Sequence, residues 1–424
     1  MKEMFPGYFA SDADSLNGLW KNCLFVLDAN VLLNLYRYSN ETSAELIDIF
    51  ALLHNRVWVP HQVAKEYLGN RVAAITQQVK IYDDALKSLA DLKKSFENPK
   101  QHPFISDNAM KNFSVSHDDL VEELRANKAG YLSMVEHDHI KNKLEVLFKG
   151  RVGNAFDENT TSLIIAAGQV RYSQRIPPGY KDAKKGGDSE ILEEKLKPYG
   201  DFIVWKQTLE KAKNEKAAVI FVTGDSKEDW WSIYSGKPLE PHPQLIDEFV
   251  REVGQDFYMY LPEVFMNKAN EYLGRVTSQR AVEEIVDVRK EEEAQENDIA
   301  ILKSLNARHS ISARGSLEAL RAARADFELK LASIAVKITS VEADVSRILG
   351  EQDELVTRLG TSLEMTGQTN TPHSERLNVR VRDNASVLNV MQRDLVSLKN
   401  LQYSVMKELD EIHARANNLL YSEP

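Results

Sequence analysis

The chain has 424 residues, of which 43% are hydrophobic, so it is long enough for two or three domains with sizeable cores. Its formal net charge of -11 excludes a strongly basic coat for nucleic acid, although local basic patches and metal-bridged contacts with phosphates remain open. A single cysteine, Cys23, excludes an internal disulfide framework. No apolar run approaches the roughly 20 residues that span a bilayer, and the opening residues lack a secretion-signal pattern. We therefore expect a cytoplasmic protein without membrane segments.

The first predicted elements each place an acidic residue beside an apolar segment. The segment "NCLFVLDAN" predicts a strand that ends at Asp28. The segment "RVWVPHQVAKEYLGNR" predicts a short strand, broken at Pro60, and then a helix that carries Glu66. Both acids are therefore attached to segments that a folded core holds in place.

Residues 75–175 are predicted to be mostly helical, as in "VKIYDDALKSLADLKKSF" and "SHDDLVEELRANKAGYL". This stretch forms an insertion between the second and third candidate acids. It either covers a substrate groove or buttresses the fold, and the sequence favours neither.

Two further acids follow the insertion. The segment "PYGDFIVWKQTLEKAKNEK" predicts a helix that opens at Gly200, with Asp201 in its first turn, and "AAVIFVTGD" predicts a strand that ends at Asp225. Upstream, "IPPGYKDAKKGGD" combines a rigid Pro-Pro-Gly turn with a loop rich in lysine and glycine. The turn could aim Asp182 at a site, so Asp182 is an auxiliary candidate.

Four acids from four separate segments can converge on one site, because sites in open α/β sheets form beyond the carboxyl ends of the strands. Each acid alone also has an ordinary structural interpretation. Asp201 fits a helix cap, Asp28 and Asp225 fit turns at strand ends, and Glu66 fits a solvated helix face.

Three cations lie near these acids in the sequence, namely Arg71, Lys206 and Lys227. Each could contact a phosphate backbone, or could belong to the solvated surface. We therefore regard them as weak candidates for substrate binding.

The composition changes near residue 270, which predicts a domain boundary there. All five tryptophans precede this point, and from residue 281 onward the only aromatic residues are Phe327, Tyr403 and Tyr421. Apolar residues then recur in alternating steps of three and four, from Leu317 to Leu359 and again from Leu388 to Leu419, with Arg324, Gln352 and Gln402 as polar members. The stretch "TGQTNTPHS" separates the two runs. This pattern predicts an antiparallel coiled-coil hairpin, with a plain helical-bundle core as the alternative.

The order of "VLDANVLLNLY", "VWVPHQVAKEYLGNR", "PPGYKD", "GDFIVWKQ", "FVTGDSKEDWW" and "PQLIDEF" resembles the PIN-like nuclease superfamily, in particular a bacterial branch. The resemblance covers about residues 5–265. It implies an α/β fold with a parallel sheet flanked by helices, here with the helical insertion 75–175 and followed by an all-α coiled-coil hairpin. The expected domains are 1–270 for the nuclease and 271–424 for the coiled coil.

The resemblance also implies a metal site. In PIN domains three or four acids hold Mg²⁺ or Mn²⁺ for phosphodiester hydrolysis, and the matching acids here are Asp28, Glu66, Asp201 and Asp225. Asn30 and Thr223 match polar positions that support such a cluster. Ala29 stands where threonine is common, and Gly224 where a polar residue is common, but neither departure removes an acid. Clustered carboxylates repel one another unless a dication neutralises them, and oxygen ligands favour Mg²⁺ or Mn²⁺ over zinc.

The expected function is a metal-dependent endoribonuclease, and the bacterial resemblance implies a toxin-like or antiviral role. One alternative is a nuclease for single-stranded or flap DNA, which would use the same chemistry. Another is a non-catalytic scaffold that binds a partner through its coiled coil. The four intact acids favour an enzyme, with RNA as the expected nucleic-acid partner. Homo-oligomerisation, or a protein partner, is expected through the coiled coil.

Overall fold

The computed structural model describes residues 1, 4–9, 13–97, 105–183, 185, 192–310, 317–366 and 372–421. The chain divides into two compact units, Met1–Arg289 and Lys290–Pro424. None of the helices in these described ranges has the length and apolar composition needed to cross a membrane.

The first unit is built on a four-stranded parallel sheet with the strand order β2-β1-β3-β6, and β4 and β5 form a separate antiparallel hairpin. The strands are β1 (Leu24–Leu27), β2 (Val57–Trp58), β3 (Val219–Val222), β4 (Trp231–Tyr234), β5 (Lys237–Pro241) and β6 (Phe257–Tyr260). All residues of β1 and β3 are buried, as expected for central strands of a parallel sheet that helices cover on both faces. The sequence analysis identified β1, β2 and β3 but missed the β4–β5 hairpin and the edge strand β6.

The helices of the first unit include one long pair within the predicted insertion. Those before the third acid are α1 (Ala13–Asn22), α2 (Ala29–Leu33), α3 (Asn40–Leu53), α4 (His61–Phe96), α5 (Asp107–Ser133), α6 (His139–Leu147) and α7 (Glu158–Ser173). The helix that carries Glu66 continues without a break into the insertion as α4 and packs on α5. Residues 75–175 are therefore mostly helical, as predicted.

The remaining helices of this unit surround the sheet after the insertion. They are α8 (Leu192–Leu196), α9 (Gly200–Glu215), α10 (Pro243–Val253), α11 (Pro262–Tyr272) and the first part of α12 (Gln279–Ser310). Large aromatic side chains fill the core beside the sheet, and Phe25, Trp205, Phe221 and Phe265 are each fully buried. The PIN-like α/β architecture predicted from the sequence is confirmed.

The start of α12 packs on the first unit through buried polar contacts. Glu284 accepts hydrogen bonds from the hydroxyl of Thr42 at 2.6 Å and from the hydroxyl of Ser39 at 2.8 Å. Arg289 forms an ion pair with Glu263 at 2.6 Å, and both side chains are close to one-tenth exposed. These contacts explain why the first compact unit extends past residue 270, where the composition changes.

The second unit contains two helices of 50 residues, α13 (Leu317–Thr366) and α14 (Pro372–Tyr421), which pack along each other. Only five residues separate them, far too few to return along a helix of about 75 Å, so the two helices run antiparallel. Phe327, Ile334 and Ile338 lie in the shared core with Val405. The predicted helical hairpin is confirmed, with local differences in the seam. Ala323 is buried, whereas Arg324 is exposed and pairs with Glu328 on its own helix, and Leu401 rather than Gln402 lies in the buried core.

Candidate active site at the carboxyl edge of the sheet

Asp28 directly follows β1 and caps α2. Its Oδ1 accepts a hydrogen bond from the N–H of Ala29 at 2.7 Å, and its Oδ2 accepts from the Thr223 hydroxyl at 2.6 Å and the Asn30 amide at 2.9 Å. Thr223 directly follows β3, the neighbouring strand. The structure therefore brings both predicted supporting residues, Asn30 and Thr223, into contact with Asp28 and fixes the orientation of its carboxylate.

The local structure explains why position 224 is a glycine. Its N–H donates to Oδ1 of Asn30 at 2.8 Å, and a Cβ on Gly224 would lie only 3.3 Å from that oxygen. A larger side chain would crowd Asn30, so the glycine allows the amide to reach both strand ends. The departure from a polar residue at this position thus leaves the network around Asp28 intact.

Two tryptophans of one loop contact the acids that follow the insertion. Asp225 accepts the backbone N–H of Lys227 at 2.8 Å and pairs with the Lys227 ammonium at 3.1 Å, while the Trp231 indole donates to the Asp225 carbonyl at 2.6 Å. Asp201 lies in the first turn of α9 and accepts a hydrogen bond from the Trp230 indole at 3.3 Å. The loop after β3 therefore contacts the third acid and carries the fourth.

Electrostatic interactions couple these carboxyls. Loss of hydration on burial raises the pKa of Asp28, and the charge of Asp225 raises it further against the opposing hydrogen bonds. The pKa of Asp201 is raised well above its ordinary value. Burial is the largest cause, and the charges of Asp182, Asp225 and Asp28 raise it further. Acids that repel one another in this way are costly to ionise together without a cation.

Glu66, on α4, and Asp182, in a short 3-10 helix, also interact electrostatically with the acids described above. Loss of hydration around the Glu66 carboxyl, with the charges of Asp28 and Asp182, raises the pKa of Glu66 to about 7, and Lys185 opposes this shift. Asp182 ends a short 3-10 helix, Tyr180–Asp182, and pairs with Lys185 at 2.5 Å. Each of the four predicted acids and the auxiliary candidate therefore interacts electrostatically with at least one other member of this group.

The sequence analysis missed Asp229. This residue is 1% exposed, its Oδ2 accepts the backbone N–H of Lys181 at 3.0 Å, and its Oδ1 has no hydrogen-bond partner among the described residues. Burial first, and then the charge of Asp225, raise the pKa of Asp229 to about 6. A signal was present in "GDSKEDWW", because a charge directly before two apolar tryptophans is unusual for a plain surface loop.

Of the three candidate cations, only Lys227 contacts one of the predicted acids. Arg71 pairs with Asp138 at 3.0 Å, and Lys206 lies 3.7 Å from both Glu248 and Glu252. The last two acids belong to α10, and Asp138 caps α6. A phosphate that used Arg71 or Lys206 would therefore have to compete with these carboxylates.

A comparison with family models matches residues 24–245, more than half of the chain, to a PIN-like domain. The chain belongs to the PIN-like domain family. Neither the curated proteins nor the solved structures contain a significant match. PIN-like domains are generally nucleases, so the family indicates an enzyme of the hydrolase class that acts on nucleic acid.

PIN-like nucleases typically use divalent metals, and the donor chemistry here fits such ions. The predicted ligands offer only carboxylate oxygens, the donors that Mg²⁺ and Mn²⁺ prefer, and burial makes their uncompensated charge costly. Within the described ranges, no three His, Cys, Asp or Glu side chains already stand at metal-ligand spacing.

Proposed function

We propose that this protein is a metal-dependent endoribonuclease, with Asp28, Glu66, Asp201 and Asp225 as the residues that hold Mg²⁺ or Mn²⁺. The main support is that Asp28 and Asp225 follow neighbouring parallel strands and Asp201 accepts a hydrogen bond from the Trp230 indole of the loop after β3, while the charge of Asp225 raises the pKa of Asp28 and the charges of both raise that of Asp201. Repulsion within such a cluster destabilises a protein that binds no metal, whereas a metal enzyme offsets it with the bound cation.

The protein residues have separate tasks in this proposal. Thr223 and Asn30 hold the Asp28 carboxylate in one orientation, and the Trp230 indole steadies Asp201. Lys227 pairs with Asp225 at 3.1 Å, and in this proposal its ammonium contacts a substrate phosphate. When bound, the metal would supply the charge that activates water and stabilises the leaving oxygen.

One experiment tests both the substrate class and the metal requirement. Purified protein is incubated with labelled transfer RNA, messenger RNA, single-stranded DNA, flap DNA and duplex DNA, each with Mn²⁺, Mg²⁺ or EDTA. We expect internal cleavage of RNA with either metal and none with EDTA. Cleavage of DNA alone would redirect the proposal to the flap or single-stranded DNA nuclease, and cleavage of no substrate would favour the scaffold.

Variants at two strand ends separate the protein from a contaminating nuclease. Asp28→Asn and Asp225→Asn should both lose most cleavage, because each removes a proposed ligand charge while it keeps the side-chain shape. Glu252→Gln is the control, since it removes an acid of α10 that pairs with Lys206. Equal activity in all four proteins would assign the cleavage to a contaminant.

We further propose that the protein acts in the cytoplasm as a toxin-like or antiviral effector, and that the α13–α14 hairpin mediates homo-oligomerisation or binds a protein partner. The family resemblance supports the first part, and the apolar residues Leu329, Val336 and Tyr403 on the outside of the hairpin support the second. Plaque counts on cells that express wild type or Asp28→Asn test the defence role. Equal counts in both cultures would contradict it.

A further inference from the structure

The loop of residues 177–182, called the Pro-Gly loop below, runs against the acidic site. Gly179 has a φ of +87°, and a Cβ there would lie 2.9 Å from Cβ of Asp201 and 2.5 Å from the Tyr172 hydroxyl. Only a residue without a side chain allows this approach. At the end of the loop, Asp182 is the charge that acts most strongly on both Asp201 and Lys185.

Asp182 brings a further negative charge to the acidic site. Its charge raises the pKa of Asp201 and also that of Glu66. Lys185 pairs with Asp182, but the Lys185 side chain is 54% exposed, and exposed pairs stabilise weakly. The contacts at the two ends of the Pro-Gly loop are therefore the stronger candidates for holding it in place.

Arg171 supplies a restraint at the start of the loop. Its two terminal nitrogens donate to the two carboxylate oxygens of Glu248 at 2.8 and 2.7 Å, and one of them also donates to the carbonyl of Pro177. The guanidinium lies over the Phe202 ring, 4.7 Å from its centre, and Trp205 donates to Glu248 at 2.9 Å. Bidentate, charge-assisted contacts of this kind are strong and geometrically specific.

We propose that Arg171 and Glu248 are positioning residues of the acidic site, which act by holding Pro177 and therefore deliver Asp182 to the metal ligands. Asp229 holds the other end of the loop through the N–H of Lys181. The ion pair joins α7 to α10 and involves none of the proposed metal ligands. The functional half of this inference, that the loop assists metal binding and cleavage, rests on the proposed metal-dependent nuclease. The structural half, that the ion pair holds the loop in place, does not.

Hydrogen exchange on the metal-free protein tests the structural half. The reporters are the amides of Lys181 and Asp182, which donate to Asp229 and to the Gly179 carbonyl. In Glu248→Gln they should exchange about tenfold faster than in wild type, while β3 remains protected. Glu252→Gln is a matched control: both acids lie 3.7 Å from Lys206, but only Glu248 contacts Arg171.

Equal exchange of the two reporter amides in Glu248→Gln and Glu252→Gln would overturn the inference. If Glu248→Gln does not fold, Arg171→Lys replaces it, because lysine keeps the charge but cannot reproduce the fork onto Glu248 together with the bond to Pro177. Faster exchange across the whole unit in Arg171→Lys would also count against a local positioning role.

Metal binding and cleavage test the functional half. Glu248→Gln should weaken Mn²⁺ binding, measured by calorimetry, about tenfold, and Asp182→Asn should weaken it to a similar extent. Because the two residues act in series, the double variant should resemble Asp182→Asn alone, in both the Mn²⁺ dissociation constant and kcat. Effects that multiply would overturn the positioning role. If wild type neither binds Mn²⁺ nor cuts nucleic acid, the proposed function fails, and the exchange experiment still decides whether the pair holds the loop.

Discussion

Asp229→Asn should change how the stability of the first unit depends on pH. The carboxyl is 1% exposed, and its pKa is raised from 3.8 to about 6. A raised pKa means that the folded state holds its proton more tightly than the unfolded chain, so folding stability is lost as the pH rises from about 4 to about 6. At pH 8 the ionised carboxylate therefore costs about 3 kcal/mol, of which about 1 kcal/mol is already present at pH 4.5.

Asparagine removes this dependence and keeps one hydrogen bond. Its amide oxygen can accept the N–H of Lys181 as Oδ2 of Asp229 does, whereas its NH₂ group takes the place of an oxygen that has no partner among the described residues. That unpaired group costs about 1–3 kcal/mol at every pH. The cost cancels when one compares two pH values, so the free energy of unfolding of the variant relative to wild type should rise by about 2 kcal/mol between pH 4.5 and pH 8.

Urea unfolding in EDTA at the two pH values measures this difference. Tryptophan fluorescence reports on the first unit alone, because all five tryptophans lie before residue 232. Glu228→Gln is the control. The Glu228 carboxylate, next to Asp229 in the sequence, pairs with the Lys181 ammonium at 2.6 Å but is 52% exposed. The change in unfolding free energy caused by Glu228→Gln should therefore differ by less than about 0.5 kcal/mol between the two pH values. An equal effect of Asp229→Asn on the unfolding free energy at pH 4.5 and pH 8 would refute the raised pKa of Asp229.

Four further outcomes are expected. Mn²⁺ should raise the melting temperature of wild type by mass action but that of Asp28→Asn much less, and an equal rise in both would contradict a role of this carboxylate in metal binding. Deletion of residues 290–424 should leave a soluble monomer in light scattering, whereas a persistent oligomer would move the interface to the first unit. Phe327→Ala should destabilise the hairpin by about 3–5 kcal/mol in circular-dichroism melts, in contrast to Glu354→Ala, which should be nearly neutral because the Glu354 side chain is 76% exposed. Gly179→Ala should cost about 1–2 kcal/mol from its left-handed backbone alone and should reduce cleavage; full activity would show that the close approach to Asp201 is dispensable.

The sequence predicted the strand ends of the site well, because buried parallel strands read as apolar runs and the acid that follows each run stands out. Asp28 and Asp225 were found in this way, and their supporting residues Asn30 and Thr223 came from the family resemblance. In the structure, Asn30 and Thr223 both donate hydrogen bonds to Asp28, and the charge of Asp225 raises the pKa of Asp28.

Other features depend on tertiary contacts that no local pattern contains. Arg171 and Glu248 lie 77 residues apart, and nothing near either residue in the sequence indicates that they meet. The division of the chain at residue 289 rather than near 270 reflects contacts of Glu284 and Arg289 with the first unit, whereas composition registers only the loss of aromatic residues. The helical periodicity placed Arg324 in the seam, but the neighbouring Ala323 is buried because a charged group stays in water.

The pairing of β1 with β3 has a consequence for synthesis of the protein on the ribosome. Leu24 pairs with Val219, and β3 in turn pairs with β6, which ends at Tyr260. On its other side β1 pairs with β2, which is translated soon after it, but β3 follows β1 only after almost 200 residues, and such long-range parallel pairing forms late. Asp201 and Asp225 belong to this late part of the first unit, so the acidic cluster around Asp28 cannot assemble until most of the unit has been translated.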